Sequence, residues 1–150
     1  MTGLTIACST LKKEEPRFPT HKGGTDLNLR ELSKLLDSKI HCCEESLENK
    51  ISYVCAGDLM SDILMFSEPN ALLVTGLVNI QVIRTAEMLD IAAVIFIRGK
   101  NPTDEMLDLA RIKSIPLLTT DHTFYLTCGL LYEAGLKNVP MKTAKNEIKY

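Results

Sequence analysis

The sequence has no tryptophan, and aromatic residues make up only 5% of its 150 positions, so the core must be aliphatic. It also lacks a long apolar run. The longest, Ile91 to Ile97, is far shorter than the roughly 17–25 residues that cross a bilayer. Positive charge is not in excess either, with 17 Lys and Arg against 19 Asp and Glu. These absences exclude a membrane span and the broad basic surface that binds nucleic-acid phosphates.

The five cysteines form no CxxC motif, and their odd number argues against a disulfide framework. The conceivable metal cluster would join His41, Cys42, Cys43 and Cys55, but adjacent residues of a strand point to opposite faces. We therefore expect no metal and read the cysteines as reduced thiols; a redox or metal module using Cys42, Cys43 and Cys55 stays open. Because no basic and apolar leader follows Met1, we expect a cytoplasmic protein.

The chain divides into three parts by composition. Prolines, paired glycines and a charge run without periodicity predict that residues 1–26 are a flexible N-terminal arm. Residues 27–136 are predicted to form one domain. Residues 137–150, with four lysines and one glutamate, are predicted to be a polar C-terminal tail.

Apolar runs alternate with helical spacing through residues 27–136, which predicts an α/β fold. Two runs, Ala71–Thr75 and Ala92–Ile97, are apolar on both faces, as central parallel strands are. We therefore predict a three-layer α/β/α domain with a mainly parallel sheet and these two strands adjacent at its centre.

Each helix that follows a strand has candidate residues for its first turn. The capping candidates are Asp58, Asn79, Asn101 with Pro102, and Asp121. The first of these helices is predicted to bury Leu59, Ile63 and Phe66.

Polar residues gather at the predicted carboxyl ends of the strands, the edge at which open α/β sheets bind ligands. Helix N-termini at this edge favour anions, so a small anion, phosphate or nucleotide fits. The candidate ligand-binding residues are Asp58, Ser61, Thr75, Gly76, Asn79, Arg98, Gly99, Lys100, Thr119, Thr120 and His122. The alternative is that these residues have structural roles only, as helix caps, loop residues and solvated surface charges.

Motifs of catalysis are missing, including GxxxxGK[ST], GxSxG and HExxH. His122 follows Asp121 directly, and adjacent residues on a helix do not face each other. We therefore predict no catalytic residue, no cofactor and no enzymatic activity. The alternative is a small phosphate-handling enzyme that uses Arg98, Lys100 and His122.

Several segments together resemble the DRTGG domain family. They are Gly57 to Asp62, Leu73 to Gly76 with Asn79 to Gln81, Ala92 to Lys100, and Ile115 to Thr120 with the helix that ends at Gly135. The resemblance covers about residues 27–136. It implies a regulatory α/β/α module, often dimeric, that performs no chemistry itself.

Such modules accompany CBS domains in some pyrophosphatases and the catalytic part of some phosphotransacetylases, and they are similar to the N-terminal domain of HPr kinase. Residues 75–79 look most like stand-alone copies encoded near iron-only hydrogenase genes. The chain departs from the family name, with Leu77-Val78 in place of Asp-Arg and Arg98-Gly99-Lys100 in place of Thr-Gly-Gly. A ligand role of the Asp-Arg pair is therefore not carried over.

The resulting hypothesis is a regulatory or adaptor domain that binds an adenine nucleotide or small anion and an unidentified protein partner. We also expect a homodimer. The family resemblance suggests it, and so does an apolar surplus at Met60, Met65 and Phe66, because Met-rich surfaces often serve as interfaces.

Overall fold

Strands and helices alternate along residues 27–140, the part of the chain that the computed structural model describes. The predicted N-terminal arm, residues 1–26, lies outside this range. In chain order the elements are β1 (Leu27–Asn28), α1 (Leu29–Leu35), β2 (Lys39–Cys42), a 3-10 turn (Glu44–Ser46), β3 (Lys50–Ile51), β4 (Tyr53–Ala56), α2 (Met60–Phe66), β5 (Ala71–Thr75), α3 (Ile80–Met88), β6 (Ala93–Phe96), α4 (Asp104–Lys113), β7 (Leu117–Thr119), α5 (Phe124–Glu133) and β8 (Lys137–Asn138).

Six strands form one sheet in the order β2-β7-β6-β5-β4-β8. Every pairing is parallel except that of β2 with β7, which is antiparallel. Strands β5 and β6 lie side by side at the centre, and every residue of both is buried. This confirms the mainly parallel sheet and its central pair. Strands β1 and β3 form a separate antiparallel ribbon.

Helices cover both faces of the sheet, which confirms the α/β/α fold. Helices α2, α3 and α4 pack on the face that carries Leu73, Val94 and Phe96. Helices α1 and α5 pack on the other face, which carries Leu72 and Ile95. Successive residues of β5 and β6 therefore serve two cores, which explains their uninterrupted apolar sequence. No helix within residues 27–140 has the length and apolarity needed to cross a membrane.

The prediction that Asp58 caps α2 is wrong. Leu59 occupies the N-cap position without a side-chain bond, because the Asp58 carboxylate accepts hydrogen bonds from the end of β5 instead. The predicted inner face is also wrong in part. Met60 and Ile63 face the core, whereas Leu59 is 60% exposed and Phe66 40% exposed. Of the three residues that the sequence placed on an apolar surface, Met60 is buried, whereas Met65 and Phe66 are exposed.

Threonines begin α4 and α5. The Thr103 hydroxyl accepts from the N–H of Met106, so the prediction that Asn101 and Pro102 begin this helix is wrong. The Thr123 hydroxyl likewise caps α5, two residues after the predicted Asp121. By contrast, Asn79 caps α3 as predicted.

The sheet continues beyond residue 136. Lys137 and Asn138 pair with Tyr53 and Val54 as strand β8, and Val139 is buried. The sheet thus includes residues that their lysine-rich composition assigned to the polar tail. Residues 141–150 lie outside the described range.

Candidate functional site

Three strand-end loops meet around Gly76. Asp58, after β4, accepts at Oδ1 from the Thr75 hydroxyl at 3.0 Å and from the Gly76 N–H at 2.7 Å. Lys100, after β6, donates its Nζ to the Gly76 carbonyl. Side chains from the flanking loops therefore hold both polar backbone groups of this glycine.

The Arg98 guanidinium lies close above the same glycine. A Cβ built on Gly76 would lie only 2.9 Å from Arg98 Nη2 and 3.4 Å from Asp58 Oδ2. A Cβ at position 76 would therefore make the guanidinium, the far end of a flexible and exposed side chain, move aside. Arg98 itself is exposed, and the described part of the chain shows no ion pair between it and Asp58.

The loop after β6 is held by the loop after β7. Arg98 and Gly99 both adopt left-handed conformations, with φ of 55° and 65°. Their N–H groups donate to the carbonyls of His122 and Thr120, each at 2.9 Å. A Cβ on Gly99 would lie 2.8 Å from Asp121 Oδ1. Asp121 therefore borders the site, in the strand-end loop that the sequence placed at this edge, although it is not among the candidate ligand-binding residues.

His41 is a site residue that sequence reasoning missed. It is the extra residue at an irregularity of β2, between Ile40 and Cys42, and its Nε2 lies 2.9 Å from the Thr119 hydroxyl. That hydroxyl donates to the Lys100 carbonyl at 2.8 Å, so His41 Nε2 must carry the hydrogen between them. Burial, followed by the charge of Lys39, lowers the pKa of His41 and favours the neutral ring.

Internal partners use several of the backbone donors at this edge. The N–H groups of Gly76 and Leu77 donate to Asp58 and to the Thr75 hydroxyl, and that of His122 donates to the Thr120 hydroxyl. The N–H groups of Arg98 and Gly99 are engaged as well, so these five backbone donors are not free for an anion. The charges that border the site are two of each sign: Arg98, Lys100, Asp58 and Asp121.

The remaining candidates divide between the fold and the surface. Thr120 donates its hydroxyl to the Leu36 carbonyl at 2.7 Å and ties α1 to this edge. Asn79 uses its side chain to cap α3. Ser61 is exposed in the first turn of α2, and no hydrogen bond within residues 27–140 joins it to the other candidates.

The cysteines do not come together. Cys42 lies on β2 and Cys55 on β4, with three strands between them. The Cys43 thiol points to the Ala110 carbonyl, and burial, followed by the charge of Cys42, raises its pKa to about 12. Across residues 27–140 no three His, Cys, Asp or Glu side chains are grouped to hold a metal ion. The described structure thus does not assemble the conceivable cluster with His41.

Three surface clefts lie away from the candidate residues. One of about 710 Å³ lies at the amino edge of the sheet, beside Asn70, Asp90 and Ser114. One of about 260 Å³ separates α2 from the segment that contains β8. One of about 200 Å³ lies between α5 and β4. None of the three is lined by a candidate residue, so the polar groups around Gly76 form a surface constellation outside these clefts.

Comparison with known proteins yields no matching family model and no matching curated protein. The fold is similar to that in the crystal structure of the CBS and DRTGG domains of the regulatory region of Clostridium perfringens pyrophosphatase, complexed with its activator diadenosine tetraphosphate. The TM-score is 0.61 at 16% identity, over 77% of this chain and 51% of that chain. The chain thus spans about half the length of that structure, and the likeness supports a DRTGG-like fold.

Proposed function

We propose that this chain is a non-catalytic regulatory or adaptor domain of the DRTGG type that senses an adenine nucleotide or another small anion. The observation that carries the proposal is the likeness of its fold to a pyrophosphatase regulatory region. Because that region was solved with diadenosine tetraphosphate as its activator, adenine nucleotides are the first ligands to test for this chain.

Residues of this chain support an anion at the carboxyl edge of the sheet. The Arg98 guanidinium is exposed there, and its planar N–H groups suit a phosphate. Lys100 adds a second positive charge while it holds the Gly76 carbonyl. Asp58 and Asp121 stand nearby with the opposite charge. We therefore expect weaker binding than a site lined by cations alone would show.

The proposal has three further parts. The resemblance implies a homodimer, and a regulatory or adaptor role implies a partner protein that is not yet identified. The resemblance of residues 75–79 to stand-alone copies links the chain to iron-only hydrogenases or to energy metabolism. The similarity to the N-terminal domain of HPr kinase is part of the same family resemblance. The four described cysteines are free thiols, which fits a cytoplasmic location.

Calorimetry tests the ligand. AMP, ADP, ATP and diadenosine tetraphosphate are titrated into the full chain, into Arg98→Ala and into Arg84→Ala, whose arginine is exposed on α3. We expect the wild type and Arg84→Ala to bind alike and Arg98→Ala to lose about tenfold or more in affinity, the worth of one charged hydrogen bond. Tight binding that Arg98→Ala leaves unchanged would put the site elsewhere, and no binding at all would favour a protein-facing adaptor.

The enzymatic alternative has its own test. The same nucleotides and a set of acyl phosphates are incubated with the wild type and with His122→Ala, and released phosphate is measured. We expect no turnover by either protein. Turnover by the wild type that His122→Ala abolishes would replace the regulatory proposal with a phosphate-handling enzyme.

A further inference from the structure

Asp58 keeps one carboxylate oxygen unbonded beside Gly76. Its Oδ1 accepts two hydrogen bonds, from the Thr75 hydroxyl and from the Gly76 N–H. Across residues 27–140 no hydrogen bond or ion pair reaches its Oδ2. Asp58 is exposed, so Oδ2 is accessible to a ligand. One oxygen thus fixes the side chain and leaves the other in a defined position, as a binding group requires.

The unbonded oxygen and the Arg98 guanidinium border the same small space. A Cβ built on Gly76 would lie 3.4 Å from Asp58 Oδ2 and 2.9 Å from Arg98 Nη2. Residue 76 has no side chain, so it does not fill this space itself. The two opposite charges nevertheless form no ion pair in the described part of the chain. An acceptor and a donor therefore face one space without a bond between them.

The charges around this space do not suit a free polyphosphate. Arg98 attracts a phosphate group, whereas the nearby Asp58 carboxylate repels it. Lys100 attracts it as well, but its Nζ already donates to the Gly76 carbonyl. A divalent cation on the phosphate removes the conflict, because the carboxylate then meets a positive charge while the guanidinium keeps a phosphate oxygen.

Magnesium is the cation whose ordinary coordination fits this arrangement. It is usually held by one or two carboxylates and takes its other ligands from substrate phosphates and water, at about 2.1 Å. A guanidinium lies about 2.7–2.9 Å from the oxygen that it binds. A cation on Asp58 Oδ2 and a phosphate oxygen on Arg98 Nη2 can therefore lie side by side over Gly76. Within residues 27–140 no three acidic, His or Cys side chains are grouped for a metal, so the nucleotide must supply the remaining ligands.

We propose that the carboxyl edge recognises the magnesium complex of a nucleotide polyphosphate rather than the free nucleotide. Asp58 Oδ2 binds the metal ion, and Arg98 binds a phosphate oxygen next to it. This inference rests on the proposed function and names the form in which the ligand binds. Asp121 is not part of it, because its carboxylate lies beside Gly99 rather than Gly76.

Calorimetry of the full chain with ATP, in excess Mg²⁺ and in EDTA, tests the assignment with Asp58→Asn. This change replaces Oδ2 but keeps an oxygen for Thr75 and Gly76, and circular dichroism and urea unfolding check the fold. Asp62→Asn, at an exposed carboxylate of α2, is the control with the same change of charge.

The expected result is a reversal of preference. The wild type and Asp62→Asn should bind ATP at least about tenfold more tightly in Mg²⁺ than in EDTA. Asp58→Asn should lose this preference, because its amide does not replace the carboxylate as a metal ligand. In EDTA it should bind ATP about two- to fivefold more tightly than the wild type does, because the repulsion between carboxylate and phosphate is gone.

Manganese gives a second readout that reports position. Mn²⁺ shares the oxygen coordination of Mg²⁺, and its unpaired electrons broaden the NMR signals of nearby amides. We expect Mn²⁺–ATP to broaden residues 57–59 and 75–77 most strongly in the ¹⁵N-labelled wild type. Asp58→Asn should weaken this broadening when it is compared at equal saturation with ATP.

Other outcomes separate the inference from the proposed function. Equal wild-type affinity for ATP in Mg²⁺ and in EDTA would overturn the inference and leave nucleotide sensing standing. So would an Asp58→Asn variant that keeps the wild-type preference for Mg²⁺. Absence of binding in both conditions would overturn the inference together with the sensing of ATP.

Discussion

The two edges of the sheet are built differently. At the carboxyl edge, the loops after β4, β5, β6 and β7 are joined by side-chain and backbone bonds that converge on Gly76 and Gly99. At the amino edge, chain segments enter the strands through single residues in left-handed conformations. These are Asn70, Asp90 and Ser114, with φ between 52° and 59°. Each is a local turn, although the Asn70 N–H also donates to the Asp90 carbonyl at 2.9 Å.

The comparison shows that free volume and organised polar groups can occupy opposite edges. The cleft of about 710 Å³ lies at the amino edge, where connections only have to reverse direction. The polar constellation lies at the carboxyl edge, where α/β sheets usually bind ligands. We therefore expect the amino edge to have a structural role and the carboxyl edge to bind any ligand, and the following variants test that division.

The largest effect is expected from Gly99→Ala. The left-handed φ of 65° strains any other residue, and the new Cβ would lie 2.8 Å from Asp121 Oδ1. We expect a loss of about 2 kcal/mol in the free energy of unfolding by urea. Gly129→Ala is the matched control, because its Cβ meets nothing, and it should raise the free energy of unfolding by up to about 1 kcal/mol. Equal effects of the two changes would contradict this account of the edge.

Asp58→Ala should follow in size. It removes the acceptor of the buried Thr75 hydroxyl and of the Gly76 N–H, at a cost of about 1–2 kcal/mol in unfolding free energy. Asp58→Asn keeps an oxygen at the same position and should lose less than half as much. Urea unfolding of both variants checks this, and equal losses would mean that the charge, rather than the two hydrogen bonds, stabilises the loop.

At the amino edge, Ser114→Gly should raise stability. The backbone of serine is strained at a left-handed φ of 56°, whereas that of glycine is not. Helices often end on a glycine in this conformation. We expect the free energy of unfolding by urea to rise by about 0.5–1 kcal/mol. Ser114→Ala should bring no gain, because alanine keeps the strain. A loss of stability in the glycine variant would show that the serine side chain contributes more than a turn.

The smallest effect concerns pH. Burial and Lys39 lower the pKa of His41 in the folded chain below its ordinary 6.5. The unfolded chain therefore takes up the proton first, and the contribution of His41 to stability is complete above pH 6.5 and declines as pH falls through the folded pKa. We expect His41→Gln to flatten the decline in urea stability between about pH 7 and 5. An unchanged slope would exclude His41 as its source.

The sequence predicted the fold better than the site. Ala71–Thr75 and Ala92–Ile97 revealed the central strands because burial on both faces leaves a local apolar signature. The roles of Asp58 and His41 left no such signature. Asp58 bonds to Thr75 and Gly76, and His41 reaches Thr119 through an antiparallel pairing of distant segments. Local spacing identifies candidates for a cap or a loop, but only the paired strands decide which partner each one finds.

The division between the two edges is tested most directly by NMR. ATP is titrated into the ¹⁵N-labelled full chain, and shifts of the backbone amides are compared at the two edges. We expect the changes to cluster at residues 76–79, 98–100 and 119–122, and Arg98→Ala to reduce them. Changes confined to Asn70, Asp90, Ser114 and the cleft that they border would contradict the assignment of ligand binding to the carboxyl edge.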